Sequence, residues 1–302
     1  MLSSNGMELL FYIVRRFLIM LITIGKRIVC AIIICVALLF IALGSMWCLS
    51  SHYKIYGVPV LNYHQVNDKY HSALTLDVAQ FKKQMEYLHN EGYHTISLDD
   101  LYAYVTEGKE LPDKPIVLTF DDGYIDNYED VLPILESYDM QATIFMISDA
   151  VNTKRFMSIN ELKTMDAHKF IVEGHTNHHS ILTRIDPSKL DDEIKGGKDT
   201  LQAFMGKPID YLAYPGGFNN AEIQRITSES GYKMAFTVTP GTVKPGQNLY
   251  ALPRLAIFQG DTPYLSFWMR LHCAPFITYT WQLRDTLRDN GFTKLAGLIP
   301  LF

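Results

Sequence analysis

Two kinds of apolar pattern alternate along the body of the chain. Short unbroken apolar runs at 58–63, 116–120, 142–147, 170–172, 211–214 and 235–238 are too brief for buried helices and predict buried strands. Between them the spacing changes to a helical period. Val78, Phe81, Met85 and Leu88 make one face of a helix that Gly92 can stop. Ser158-Ile159-Asn160-Glu161 is a capping box that opens a second. Leu190, Ile194 and Leu201 follow a third stripe, closed by Gly206-Lys207-Pro208, and Ile223 and Ile226 precede Gly231 in a fourth. Strand–helix alternation at this spacing predicts an α/β fold with a parallel sheet and right-handed crossovers, and a closed or partly closed barrel suits the length. No internal repeat or low-complexity linker interrupts the pattern.

One run breaks the alternation. Residues 28–51 carry no charge and 28–49 are almost wholly apolar, which is long enough for a helix of about 20 residues to span a bilayer core. Lys26 and Arg27 abut its start, with Arg15 and Arg16 upstream. The positive-inside rule then keeps the N-terminus cytoplasmic and puts residues from about 52 onward outside. A cleaved signal peptide is the alternative, but Gly44-Ser45-Met46-Trp47-Cys48 offers no small-x-small cleavage site. Met46 and Trp47 before Cys48 also argue against a lipoprotein acceptor. The stretch 9–24 is apolar too, yet Arg15-Arg16 divides it, so an interfacial extension is expected there. The predicted organisation is therefore a cytoplasmic or interfacial segment at 1–27, a transmembrane signal anchor at 28–50, a catalytic domain at 51–263 and an aromatic, apolar segment of unassigned role at 264–302.

Composition sharpens that division. The 302 residues are 48% apolar and 20% charged, with a net charge of −5 and a pI of about 6.0. These values exclude a disordered chain, a polytopic membrane protein and the usual basic footprint of a nucleic-acid binder. Residues 1–50 carry +3 and the remaining 252 carry −8. Cys30, Cys35 and Cys48 lie in the first part and only Cys273 in the second, so the body cannot form an internal disulfide and must rely on its core.

In parallel α/β folds chemistry gathers where strands end, and four predicted strand ends carry polar groups. The run 116–120 leads into Asp121-Asp122-Gly123, which could be a plain Asp-Gly turn or two acids facing the rim. The run ending near Val172 leads into Glu173-Gly174-His175-Thr176-Asn177-His178-His179. A solvated polar loop is one reading of the three histidines. The other is that His175 and His179 aim at one point and, with Asp122, supply two nitrogens and a carboxylate with positions left for water. That is a catalytic donor set suited to zinc or a similar divalent ion, and it leaves His178 a solvated neighbour. The run 211–214 ends in Pro215-Gly216-Gly217; beyond a simple turn, a glycine backbone there could approach a carbonyl substrate and face a developing oxyanion. His64 ends the first strand, as a structural histidine or as a proton donor.

Thr119-Phe120-Asp121-Asp122-Gly123, His175-Thr176-x-x-His179 and Ala213-Tyr214-Pro215-Gly216-Gly217 resemble successive motifs of the NodB-homology polysaccharide deacetylases. Val60-Leu61-x-Tyr63-His64 and Leu252-Pro253-Arg254-Leu255 resemble the subgroup that includes poly-N-acetylglucosamine deacetylases. The likeness covers residues 56–260. It implies a distorted (β/α) barrel and metal-assisted hydrolysis of N-acetyl groups on amino sugars. Asp122, His175 and His179 would hold the metal (zinc, or Co2+ or Ni2+), Asp121 would be the general base, and Tyr214, Pro215 and Gly216 would form the oxyanion and substrate-binding edge. Two positions depart from the family pattern. Ala213 stands where many members have an arginine, so either Arg254 orients Asp121, as the subgroup likeness suggests, or the base is less well held. The usual late Leu-x-His motif is unclear: Met269-Arg270-Leu271-His272 is wrongly spaced, and His64 is preferred to His272 as general acid.

The expected protein is a membrane-anchored bacterial deacetylase acting outside the cytoplasm on a surface polysaccharide of the poly-N-acetylglucosamine type. Peptidoglycan and lipid-linked sugars are rival substrates, a catalytically inactive glycan-binding protein is the rival of another class, and an iron oxygenase is disfavoured by the β/α alternation. Nucleic acid is not an expected partner; protein partners and oligomeric state have no sequence signature here.

Overall fold

The computed structural model describes residues 57–299, together with Arg16, Cys35, Val36, Leu38 and Leu39. The chain divides into two units, Met1–Lys54 and Ile55–Phe302, and the second is described here. Apart from four of those isolated positions, the expected anchor at 28–50 lies outside the described residues, among which no helix is long and apolar enough to cross a membrane.

Strands β1 (Val58–Tyr63), β2 (Gln65–Val66), β3 (Thr75–Leu76), β4 (His94–Thr95), β5 (Pro115–Asp122), β6 (Ala142–Met146), β7 (Phe170–Gly174), β8 (Tyr211–Ala213), β9 (Met234–Phe236), β10 (Thr242–Val243) and β11 (Leu255–Ala256) are interleaved with helices. Nine of them form one sheet in the order β10-β1-β5-β6-β7-β8-β9, with β4 on β5 and β11 on β1. The pairings along β1-β5-β6-β7-β8-β9 are parallel, and only β10 runs antiparallel to β1. Leu252 bridges to Phe236 at one end of this curled sheet, and Leu255 pairs with Leu61 at the other. The segment bearing Arg254 therefore spans the gap between the sheet's two ends.

Alternation along the strands sorts side chains into two cores. Val60, Val117, Phe145, Tyr211 and Phe236 fill the inner one. Leu61, Tyr63, Leu118, Phe120 and Ile144 face outward to the helices. Helix α1 (Val78–Asn90) buries Phe81, Met85 and Leu88, and Phe81 meets Tyr63 and Phe120 edge-on at 5.4 and 5.8 Å. Truncating a fully buried ring of this kind costs about 3–5 kcal/mol. Helix α2 (Leu98–Glu107), which the apolar pattern does not predict, starts at a capping box of Ser97 and Asp100 and contributes Leu98, Leu101 and Val105 to the inner core.

Helices α3 (Leu132–Ser137), α4 (Ile159–Ala167), α5 (Gly197–Met205) and α6 (Ala221–Glu229) follow the strands. The Ser158–Glu161 capping box opens α4 as expected. The stripe through Leu190, Ile194 and Leu201 is not one regular helix: a π-helical turn, Asp192–Gly196, precedes α5. A Cβ on Gly197 would lie 2.7 Å from the Asn177 nitrogen, so this turn is where a helix backbone packs directly on the histidine-bearing loop. Residues from Pro263 onward form α7 (Pro263–His272), α8 (Ala274–Asp289) and α9 (Thr293–Ala296). Phe267 and Leu271 complete the outer core, with Tyr87 edge-on to Phe267 at 5.9 Å.

Candidate active site

The polar residues flagged at four strand ends converge where the inner core opens. On β5, Thr119 and Asp121 point the same way as the inner-core Val117. Asp122 would ordinarily face outward. Its φ of +74° turns the chain instead, a conformation that costs a non-glycine residue energy but that aspartate tolerates better than most. Gly123 follows at φ +83°, and a Cβ there would lie 2.0 Å from the Met146 sulfur. The strand end thus presents both carboxylates to one space.

Asp121 is 2% exposed and Arg254 0%. Arg254 Nη1 and Nη2 donate to Asp121 Oδ1 and Oδ2 at 2.7 and 2.8 Å. The same guanidinium donates from Nε to the Thr237 carbonyl at 3.0 Å and from Nη1 to Thr119 Oγ1 at 3.2 Å. Burial alone would raise the Asp121 pKa; the Arg254 charge, aided by His175, outweighs it and holds the carboxyl well below the usual range. Planar bidentate pairing of this kind fixes orientation as well as charge. Ala213 has no side chain to do this, and Arg254 reaches Asp121 from the segment between the sheet's ends.

Asp122 Oδ1 is buried without a hydrogen-bond partner. His175 Nε2 stands 3.4 Å from it and His179 Nε2 3.3 Å. One donor atom from each of the three residues lies within 4.8 Å of the others. His175 Nδ1 is 2.7 Å from the Ala213 carbonyl. A carbonyl only accepts, so Nδ1 carries the proton and the Nε2 lone pair faces Asp122. Two imidazole nitrogens, a carboxylate with an orphaned oxygen and an accessible edge at His179 fit a divalent cation such as zinc. Thr176 and His179 hold φ of +65° and +60°, so a tight loop, not a helical turn, brings the two imidazoles together.

That loop is braced by Glu193, a residue the motif analysis does not single out. Its carboxylate is 4% exposed and accepts from the His178 N–H at 3.0 Å and the Ser180 hydroxyl at 2.6 Å. The available signal was an acid directly before Ile194 in an apolar helical stripe. His178 itself turns outward, with its Nδ1 3.3 Å from Glu193.

His64 lies among these charges: burial lowers its pKa, Asp121 and Asp122 oppose that, and Arg254 and His175 reinforce it. Its Nδ1 is buried and unpartnered. His272 is elsewhere, with Nε2 2.7 Å from the Tyr87 hydroxyl and its ring against Trp268 at 4.7 Å. Of the three residues expected to line the oxyanion edge, Tyr214 directs its phenol to the Tyr250 carbonyl at 3.1 Å and its N–H to the Phe236 carbonyl at 3.0 Å. Pro215 has no N–H. Gly216, the third of them, stands at φ +61°.

Comparison with known proteins places this geometry. Residues 108–235 match the family model described as polysaccharide deacetylase. The Bacillus subtilis protein YxkH, assigned to the polysaccharide deacetylases, is 32% identical over 203 residues, 67% of this chain and 72% of its own. A Staphylococcus aureus poly-beta-1,6-N-acetyl-D-glucosamine N-deacetylase is 27% identical over 236 residues, 68% of this chain and 80% of that one. Among solved structures, the Streptococcus pyogenes deacetylase PplD in complex with acetate superposes with a TM-score of 0.65 at 27% identity, over 70% of this chain and 97% of that one. A Bacillus cereus polysaccharide deacetylase gives a TM-score of 0.63 at 30% identity, over 71% and 69%.

Proposed function

Because the chain belongs to the polysaccharide deacetylase family, we propose that it hydrolyses N-acetyl groups from the hexosamine units of a bacterial surface polysaccharide, poly-N-acetylglucosamine in type, with a divalent metal. The observation that carries this reading is the orphaned Asp122 Oδ1 facing two imidazoles beside an aspartate gripped by a buried arginine. A divalent ion held by Asp122, His175 and His179, zinc by preference, would act as a Lewis acid toward the acetamide carbonyl and toward water.

The chain's own residues divide the remaining work. Asp121 accepts a proton from the attacking water, and Arg254 keeps that carboxylate ionised and aimed. The Gly216 N–H donates to the oxygen on which charge develops as water adds to the carbonyl carbon. The C–N bond then breaks, and His64 passes a proton to the departing nitrogen, leaving an amine on the sugar and acetate. Burial favours the neutral His64 ring, so the proton it gives must be taken up within the cycle, and the two carboxylates beside it favour that uptake.

The charge-free run 28–51 behind Lys26 and Arg27 supports a single-pass anchor with the catalytic unit outside the membrane. The S. aureus relative supports poly-N-acetylglucosamine over peptidoglycan and lipid-linked sugars. Full-length protein in detergent, loaded with zinc and assayed for acetate and free amine, should act fastest on poly-N-acetylglucosamine. Release from peptidoglycan or a lipid-linked sugar alone would overturn the substrate assignment; no release from any glycan would overturn the catalytic one.

A further inference from the structure

The His175 ring is fixed by a hydrogen bond at Nδ1, but the His64 ring is not. Its Nδ1 is buried and has no partner, so the backbone must set where the ring points. That backbone stands at a seam. Tyr63 pairs with Phe120 at the end of β1, and β2 starts at Gln65 in a separate two-stranded sheet. His64 is the residue at which the chain passes from one sheet to the other, and a side chain takes its carbonyl: Asn127 Nδ2 donates to it at 3.0 Å.

Asn127 is fully buried, and the same Nδ2 also donates to Asp126 Oδ1 at 2.9 Å. Two acceptors for two N–H groups fix the orientation of the carboxamide. Asp126 is buried as well, and its other oxygen accepts from Asn67 Nδ2 at 2.6 Å. The clamp therefore joins the segment 64–67 to the turn that carries Asp122 and Gly123, with both carboxylate oxygens engaged. Burying a carboxylate among neutral amides costs stability, a cost that an apolar contact between the same segments would avoid. Asn127 also opens a π-helical turn, Asn127–Val131, a rare conformation that recurs at functional sites. Orientation of His64, not stability, is what this arrangement supplies.

We propose that Asn127 is a positioning residue for the reaction: its carboxamide, aimed by Asp126, pins the His64 carbonyl and so keeps the His64 ring within reach of the departing nitrogen. This rests on the reading of His64 as the proton donor and adds what places it. Asn127 acts at the backbone of another residue, so its effect falls on proton delivery, appears in kcat and passes through His64 alone.

The test is a double-mutant cycle on zinc-loaded full-length protein, reading acetate release from N-acetylglucosamine pentamer by the wild type, H64A, N127A and H64A/N127A. A second cycle uses D126N and H64A/D126N. H64A should lower kcat by about 10²–10⁴-fold, the range for a positioned acid or base. N127A should lower kcat by about tenfold with KM and zinc content unchanged, within the hundredfold that a misplacement of about 1 Å can cost. D126N keeps the shape but offers one acceptor oxygen where two are used, and should lower kcat by about threefold. In the H64A background neither change should lower kcat further. Losses that multiply in the double variants, or wild-type kcat in both N127A and D126N, would overturn the positioning role and leave His64 as the acid. Should N127A fail to fold, the D126N cycle decides between the same outcomes. No acetate from the wild type, or H64A at the wild-type kcat, would overturn the reading of His64 and the inference with it.

Discussion

On the floor of the site, Arg254 and Asp121 are almost wholly excluded from water and joined through both carboxylate oxygens. On the rim, the His179 side chain is 41% exposed, and its backbone N–H donates to Thr176 Oγ1 at 3.2 Å. His175 stands between the two regimes, buried like the floor and fixed by the Ala213 carbonyl, yet aimed at the same point as His179. The floor is pre-organised, so its charges meet the substrate without rearranging. The rim trades rigidity for access, which a polymer substrate requires. Loss of a floor residue should therefore slow every substrate alike.

The largest effect expected is on the floor. R254M strands a buried carboxylate, which should destabilise the protein by about 3–5 kcal/mol in urea unfolding. It should also lower kcat by about 10²–10⁴-fold on all glycans, the range for losing a positioned acid or base. Unchanged stability would show that the floor is not the rigid region described.

Next comes the junction between floor and rim. Zinc at a hundred times its dissociation constant should stabilise the wild type by about 2.7 kcal/mol, read as a rise in thermal midpoint that a chelator reverses. H175A should abolish that rise and H179A reduce it, because only the His175 ring is fixed by a backbone carbonyl. Equal effects would erase the distinction between the two ligands. E193Q, which disturbs the brace under the histidine loop, should weaken zinc binding by about 10–100-fold, the usual cost of losing outer-shell support, and leave poly-N-acetylglucosamine preferred.

The smallest effect concerns pH. Asp126 accepts from Asn67 Nδ2, and Asn67 Oδ1 in turn accepts the N–H groups of Lys69 and Tyr70, so the pair supports the rim loop. Burial pushes the Asp126 pKa up to about 7 from an ordinary 3.8. A folded-state pKa above the unfolded value means that the stability linked to this group is present below about pH 4 and is lost as pH rises to about 7. Denaturation midpoints across that window should fall for the wild type and fall less for D126N. An identical slope in both would remove Asp126 from the account.

Much of this was legible because strand ends are marked in sequence by the change from apolar to polar residues. The run into Asp121-Asp122 and the run into His175 locate the floor, since six β-strands announce themselves as apolar runs with small boundary errors. What the pattern hides is closure. Arg254 lies 133 positions from Asp121, directly before a two-residue strand too short to show a period, and only its resemblance to a subgroup motif points to it. Tyr214 looked like a site residue because it adjoins Pro215-Gly216, yet strand alternation sends its phenol into the outer core. The terminal aromatics could not be sorted by composition: Phe267 is buried while Tyr279 is 62% exposed on the next helix.

The central claim, that Asp122, His175 and His179 hold the metal on which deacetylation depends, is tested most directly by metal titration. Full-length protein stripped with a chelator should release no acetate from N-acetylglucosamine pentamer. Added zinc should restore the rate in proportion, up to about one equivalent per chain, the stoichiometry of a single three-ligand catalytic site, and should restore nothing in H175A. A stripped wild type that keeps its full rate, or an H175A protein that titrates like the wild type, would contradict it.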